Sequence, residues 1–124
     1  MRAIAVVVLG SMWMWGALAP VAEAHHSFAM FDKAKFRTLE GKVARIEWTN
    51  PHTYVFMNVV EQGKVQLYTL ECSSPNELSR WGWKPQTLKV GEEVKVEIFP
   101  MRDGRPAGLV VSITKADGAV LKSH

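Results

Sequence analysis

The chain has 124 residues, 15 Lys and Arg against 12 Asp and Glu, and a net charge of +3. With 48% hydrophobic and 22% charged residues it has the makeup of a folded protein, not a disordered one. The charges lie along the chain without runs, so nothing points to nucleic acid, and the single Cys72 excludes a disulfide within the chain.

Arg2 is the only charge before Glu23, and Ala3 to Leu18 is apolar apart from Gly and Ser. Pro20 and the tripeptide Ala22-Glu23-Ala24 follow. A positive start, an apolar middle and an A-x-A ending form an export signal, and the apolar run is short of the roughly 20 residues of a membrane span. Cleavage after Ala24 is expected. Residues 25–124 then form one domain, periplasmic or secreted, with no stable membrane span. The alternative is an uncleaved N-terminal anchor.

The mature part reads as strands. In "LEGKVARIEWTN", Leu39, Gly41 and Val43 share a face, and Ile46 and Trp48 take the other phase. The slip predicts a bulge or bend near Ala44-Arg45. Pro51, without an N–H, ends the strand. "HTYVFMNVVE" and "KVQLYTLECS" form a hairpin about Gln62-Gly63. In "SPNELSRWG", Ser74 is the N-cap, Pro75 the first helical residue, Glu77 the capping-box partner and Gly82 the C-terminal cap, which predicts a helix from about Pro75 to Trp81.

"EVKVEIFP" alternates with Val94, Val96 and Ile98 inward, and Asp103-Gly104 turns the chain. "PAGLVVSITK" follows, with Leu109, Val111 and Ile113 expected inside, and Asp117-Gly118 turns the last residues into a short extra strand. The order predicts a mainly β protein, a small five-stranded OB-like barrel with one short helix between strands 3 and 4. An open sheet would leave long apolar edges exposed.

The pieces His25 to Asp32 ("HHSFAMFD"), Leu39-Glu40-Gly41-Lys42-Val43 and Trp48-Thr49-Asn50-Pro51-His52 carry a resemblance, joined by "LECSSPNELSRWGW" and "FPMRDGRPAG". The chain resembles a family of small exported bacterial proteins of unknown function with "HHSFAMFD … W-x-N-P-H" motifs. The resemblance implies export and one small domain, and brings no reaction or catalytic residues.

Half of the four histidines stand at the expected cut. A free amine on His25, with a pKa of roughly 8, and its imidazole can chelate one ion, and such nitrogen ligands suit Cu(II). His52, on the loop after the first strand, is the expected further ligand if the "SFAMFD" segment crosses the barrel mouth. His26 is nearby but poorly placed to turn onto the same ion, and Asp32 offers an oxygen. The other reading is solvated histidines, with His52 capping a turn. Copper is the cofactor expected if a metal binds.

Tyr54, Phe56 and Tyr68 read as one face of strands 2 and 3, opposite Val55, Met57, Val59 and Leu67. With Trp48 they form the candidate ligand surface, because OB barrels bind ligands there. Alternatively those rings pack under the N-terminal segment against Phe28 and Phe31. Trp81 and Trp83 are expected to plug the barrel, and Arg102, Asp103 and Arg105 to form a solvated turn.

No nucleophile elbow, phosphate loop, HExxH or triad-like cluster is present. Asp32, Glu40, Glu47 and Glu71 are scattered acids, and His52 is a conceivable base for Cys72. The expected function is a non-catalytic binding module of the cell envelope, its partner a small molecule or an envelope protein. The alternative is a periplasmic Cu(II)-type protein using His25 with His52.

Overall fold

The computed structural model describes residues 26–124, with side chains from Phe28 onward. The expected leader and the residue His25 therefore lie outside the described residues. The elements are α1 (His26–Ala29), β1 (Arg37–Glu47), β2 (Tyr54–Glu61), β3 (Lys64–Glu71), α2 (Pro75–Arg80), β4 (Glu93–Pro100), β5 (Ala107–Lys115) and β6 (Val120–Lys122).

The strands pair in the order β3-β2-β1-β4-β5-β6, and a parallel β3–β5 pairing joins Thr69–Glu71 to Ala107–Leu109. That pairing closes a five-stranded barrel, mixed because one pair is parallel. Closure removes the two long edges that an open sheet would expose. The short β6 adds to β5 at Ser112–Thr114. Helix α2 lies between β3 and β4, as the sequence predicts.

Strand β1 is long because it serves two neighbours. Arg37–Lys42 pair with β4, Gly41–Glu47 with β2, and the register shifts between Val43 and Arg45, at the predicted bulge. Where both partners meet, Gly41 lies so close to β2 that a Cβ would stand 2.1 Å from the Asn58 carbonyl oxygen. Only a residue without a side chain fits there.

The barrel interior holds Leu39, Val43, Val55, Met57, Tyr68, Leu70, Cys72, Val94, Val96, Ile98, Val110 and Ile113. Leu78 of α2 and Trp83 after it enter the same core, and the Trp83 indole N–H donates to the Lys122 carbonyl at 2.8 Å. A second, smaller cluster forms on the outside, where Phe31 of the N-terminal segment bridges to Met101 and packs on Leu109.

Two expectations about facing are corrected. On β5, Val110 and Ile113 point into the barrel, while Leu109 belongs to the outer cluster. The cause is a register shift opposite Glu97/Ile98, which pairs Val96 with Ile113 but Ile98 with Val110. A bulge of this kind breaks a strict period of two. Trp81 does not plug the barrel: it is exposed, with the Lys122 ammonium 5.2 Å from its ring centre.

The helix ends are built as the sequence implies, with the last helical residue at Arg80 and Trp81 as the C-cap. Ser74 accepts from the Glu77 N–H at 3.2 Å. At the other end Gly82 takes φ +90°, its N–H donates to Ser79, and the Trp83 N–H donates to Leu78. This Schellman closure delivers Trp83 to the core beside Leu78. Ser74→Ala should lower stability by about 1 kcal/mol, read as a shifted urea midpoint with an unchanged slope.

Candidate functional site

The hairpin turn at Gln62-Gly63 places two residues between Glu61 and Lys64, which pair, and thereby sets Met57 opposite Tyr68 and Tyr54 opposite Glu71. Side chains alternate along a strand. Met57, Val55, Tyr68 and Leu70 therefore point inward, and Tyr54, Phe56, Leu67, Thr69 and Glu71 outward.

The candidate surface is corrected on this ground: Tyr68 is 3% exposed in the core, and Leu67, expected inside, is 48% exposed. The Tyr68 hydroxyl reaches the barrel end and donates to Glu61 at 2.9 Å, and Glu61 also pairs with Arg37. Burial and that hydrogen bond raise the phenol pKa. Trp48 leans against the core instead of forming an open surface. Phe56 stays outside with the Arg45 guanidinium stacked 4.0 Å from its ring centre.

Of the four predicted surface residues, Tyr54 alone lines the groove that the structure presents. That groove, of about 370 Å³, runs between the outer face of β2–β3 and the β4–β5 turn. Its walls are Met30 and Phe31 from the N-terminal segment, Leu67 and Tyr54 from the hairpin, and Met101 and Pro106 from the turn, with Arg105 at the rim. Phe31 thus covers part of the barrel wall without lying over Phe56 or Tyr68. The Arg105 backbone N–H donates to Asp103 at 3.1 Å and its guanidinium at 2.6 Å, which together hold the Asp103 carboxyl below the usual range. A broader hollow of about 1040 Å³ lies over β1 and β4, where charged side chains pair with each other, as Lys95 does with Glu40 at 2.9 Å.

Glu71 stands in the groove wall and is only 8% exposed. Its Oε1 makes no hydrogen bond among the described residues. His52 Nε2 lies 3.4 Å from it. Burial raises the Glu71 carboxyl pKa, with His52 acting in the opposite sense. Burial, with the charges of Glu71 and Glu47, also raises Tyr54.

The other ring nitrogen of His52, Nδ1, is 3.2 Å from the Cys72 carbonyl oxygen, so the imidazole faces the backbone of Cys72 and not its sulfur. Burial pushes the Cys72 thiol up to about 12. A thiol so held is not a nucleophile at neutral pH, and the pairing of Cys72 with His52 as base is not formed.

His124, unremarked in the sequence, sits at this same end. Its Nδ1 is 2.9 Å from the Val110 carbonyl, its ring meets Phe28 edge-on at 6.2 Å, and burial depresses its pKa, with a contribution from His52. Asp32 is engaged within its own turn and by Arg102. It accepts from the Ala34 N–H and faces Lys35 at 3.4 Å. α1 begins at His26, whose side chain lies outside the description. Among the described residues no three His, Cys, Asp or Glu side chains are grouped to hold an ion.

The pairing of His52 with Glu71 was readable from the hairpin register. Beyond Tyr54 and Glu71 the ladder continues through Thr53 N–H to Ser73 and Cys72 N–H to Thr53, which carries His52 alongside Glu71. The contributions of Met101, Arg105 and Pro106 were not readable, since they depend on barrel closure.

No curated protein matches the chain. Among solved structures, the mitochondrial single-stranded DNA binding protein Rim1 of S. cerevisiae is similar with a TM-score of 0.46 and 13% identity, over 73% of this chain and 97% of that one. No described helix is long and apolar enough to cross a membrane. A family model covers residues 15–112, and on that match the chain belongs to the family of unknown function DUF6152.

Proposed function

We propose that this is an exported, non-catalytic binding module of the cell envelope, which takes a small, mainly apolar ligand in the groove between β2–β3 and the β4–β5 turn. The groove carries the reading. It lies where OB-type barrels take their ligands, on the face of strands 2 and 3 beside the loop between strands 4 and 5. Its volume is within the range of small-molecule sites, and Met30, Phe31, Leu67, Met101 and Pro106 give it an apolar lining. The buried, high-pKa Cys72 supports a role without nucleophilic chemistry. The A-x-A tripeptide before His25 supports export, and the barrel strands all fall between Arg37 and Lys122.

Titration with the neutral probe N-phenyl-1-naphthylamine should give saturable fluorescence enhancement. Leu67→Lys, which puts a charge on the groove wall, should weaken it by about tenfold or more, as the loss of one leucine contact that the bound probe would cover implies. Val60→Lys, at a position 70% exposed on the same hairpin and outside the groove, should leave it unchanged. Equal effects of the two variants would remove the groove from the account. Intact mass of protein recovered from the periplasm should correspond to residues 25–124; the mass of the whole chain there would overturn processing at Ala24.

A further inference from the structure

We propose that the ligand of the groove is an aliphatic amine, its protonated amino group held by Glu71 and its tail laid along Leu67. This inference rests on the groove reading above and names the chemistry of the occupant.

The groove is sorted along β3. Leu67, Thr69 and Glu71 line it from the same outward face. At about 3.3–3.4 Å per residue, Glu71 stands about 13 Å along the strand from Leu67. One end of that wall is therefore aliphatic. The other end is polar, with Glu71 and its cross-strand partner Tyr54 side by side. Such a wall fits an elongated ligand with a polar head and an apolar tail.

The head must be a donor. Glu71 is nine-tenths buried, and its Oε1 accepts no hydrogen bond among the described residues. His52 Nε2 comes to 3.4 Å of that oxygen without forming one. A charge-assisted hydrogen bond would close the gap to about 2.7–2.9 Å. A carboxylate buried without donors is destabilised, and a ligand that supplies them removes that penalty.

The charge of the head follows from what surrounds it. Among the described lining residues Glu71 is the one acid. The one base is Arg105 at the rim, and its guanidinium is already engaged by Asp103 at 2.6 Å. Burial, and after it the charges of Glu71 and Glu47, raise the Tyr54 phenol, as a negative local field would. A cation is favoured there and an anion is repelled. An ammonium group carries three donors. Glu71 takes one, and the Tyr54 and Thr69 hydroxyls offer acceptors for the others. The rings of Tyr54 and Phe31 in the same lining also suit a cation.

Calorimetric titration of the purified protein with decylammonium, decanol and decanoate, each below its micelle concentration, tests the head group at constant tail. Decylammonium should bind about tenfold or more tighter than decanol, as one hydrogen bond to a charged group implies. Decanoate should bind weakest. Glu71→Gln should abolish the preference for decylammonium over decanol and leave naphthylamine binding in place. Glu40→Gln removes an acid outside the groove and should change neither. Thermal melts check the folding of both variants, and the ranking on the unmodified protein needs no variant.

Decylammonium binding no tighter than decanol, or decanoate binding tightest, overturns the proposal while the groove stands. So does a preference that survives in folded Glu71→Gln. Failure of all three decyl compounds and of the naphthylamine overturns the groove reading as well.

Discussion

Gly41→Ala should destabilise the barrel by about 3 kcal/mol or more, a large share of the total stability of a domain this size. The added methyl would sit 2.1 Å from the Asn58 carbonyl oxygen and 3.1 Å from the Met57 methyl. The methionine end can swing away; the carbonyl cannot, because it belongs to the backbone of β2. Nor can β1 retreat, since Gly41 is paired with Val59 on one side and Val94 on the other. Relief therefore requires one of the two ladders to open. Gly63→Ala is the informative contrast. Gly63 has φ +76° and open space around it, so only the left-handed backbone penalty applies, about 1–2 kcal/mol. Urea unfolding of both variants decides the matter: a Gly41→Ala midpoint no lower than that of Gly63→Ala would mean that the strands are not packed as described.

Trp83→Ala should cost about 3–5 kcal/mol, the range for truncating a large buried aromatic. Trp83 is 3% exposed, belongs to the main core with Leu78, and ties the chain end to the barrel through Lys122. Trp83→Phe keeps most of the ring volume but orphans the Lys122 carbonyl, and should cost less, about 1–3 kcal/mol. Trp81→Ala, two residues away on the exposed side, should cost little, since only a surface stack with Lys122 is lost. Thermal melts followed by far-UV circular dichroism should rank the three in that order. A larger loss for Trp81 than for Trp83 would reverse the assignment of which ring fills the core.

The same contrast shows where reading from sequence stops. The two tryptophans flank Gly82, and nothing in composition separates them. The difference arises because the Schellman turn at Gly82 reverses the chain and returns Trp83, but not Trp81, toward Leu78. Tyr68 is a different kind of case. Strand β3 is apolar on both phases, with Val65 and Leu67 alternating against Tyr68 and Leu70, so hydrophobicity does not choose a face. The two-residue turn does choose, by pairing Glu61 with Lys64, and the facing of Tyr68 and the nearness of His52 to Glu71 both follow from that register.

The amino-acid sequence alone determined the order of strands and helix, the bulge after Val43, the capped helix at Ser74 and the turns at Gly63, Gly104 and Gly118. Each of these is a local matter, set by which residues tolerate a backbone conformation or repeat with a given period. Tertiary structure alone decided the groove and the inner phase of β5. The groove exists because Thr69–Glu71 meet Ala107–Leu109 to close the barrel, which brings Leu67 beside Met101 and Pro106. The β5 phase depends on a bulge against β4. Such contacts join residues dozens of positions apart, and their energy comes from shared burial that no local pattern records.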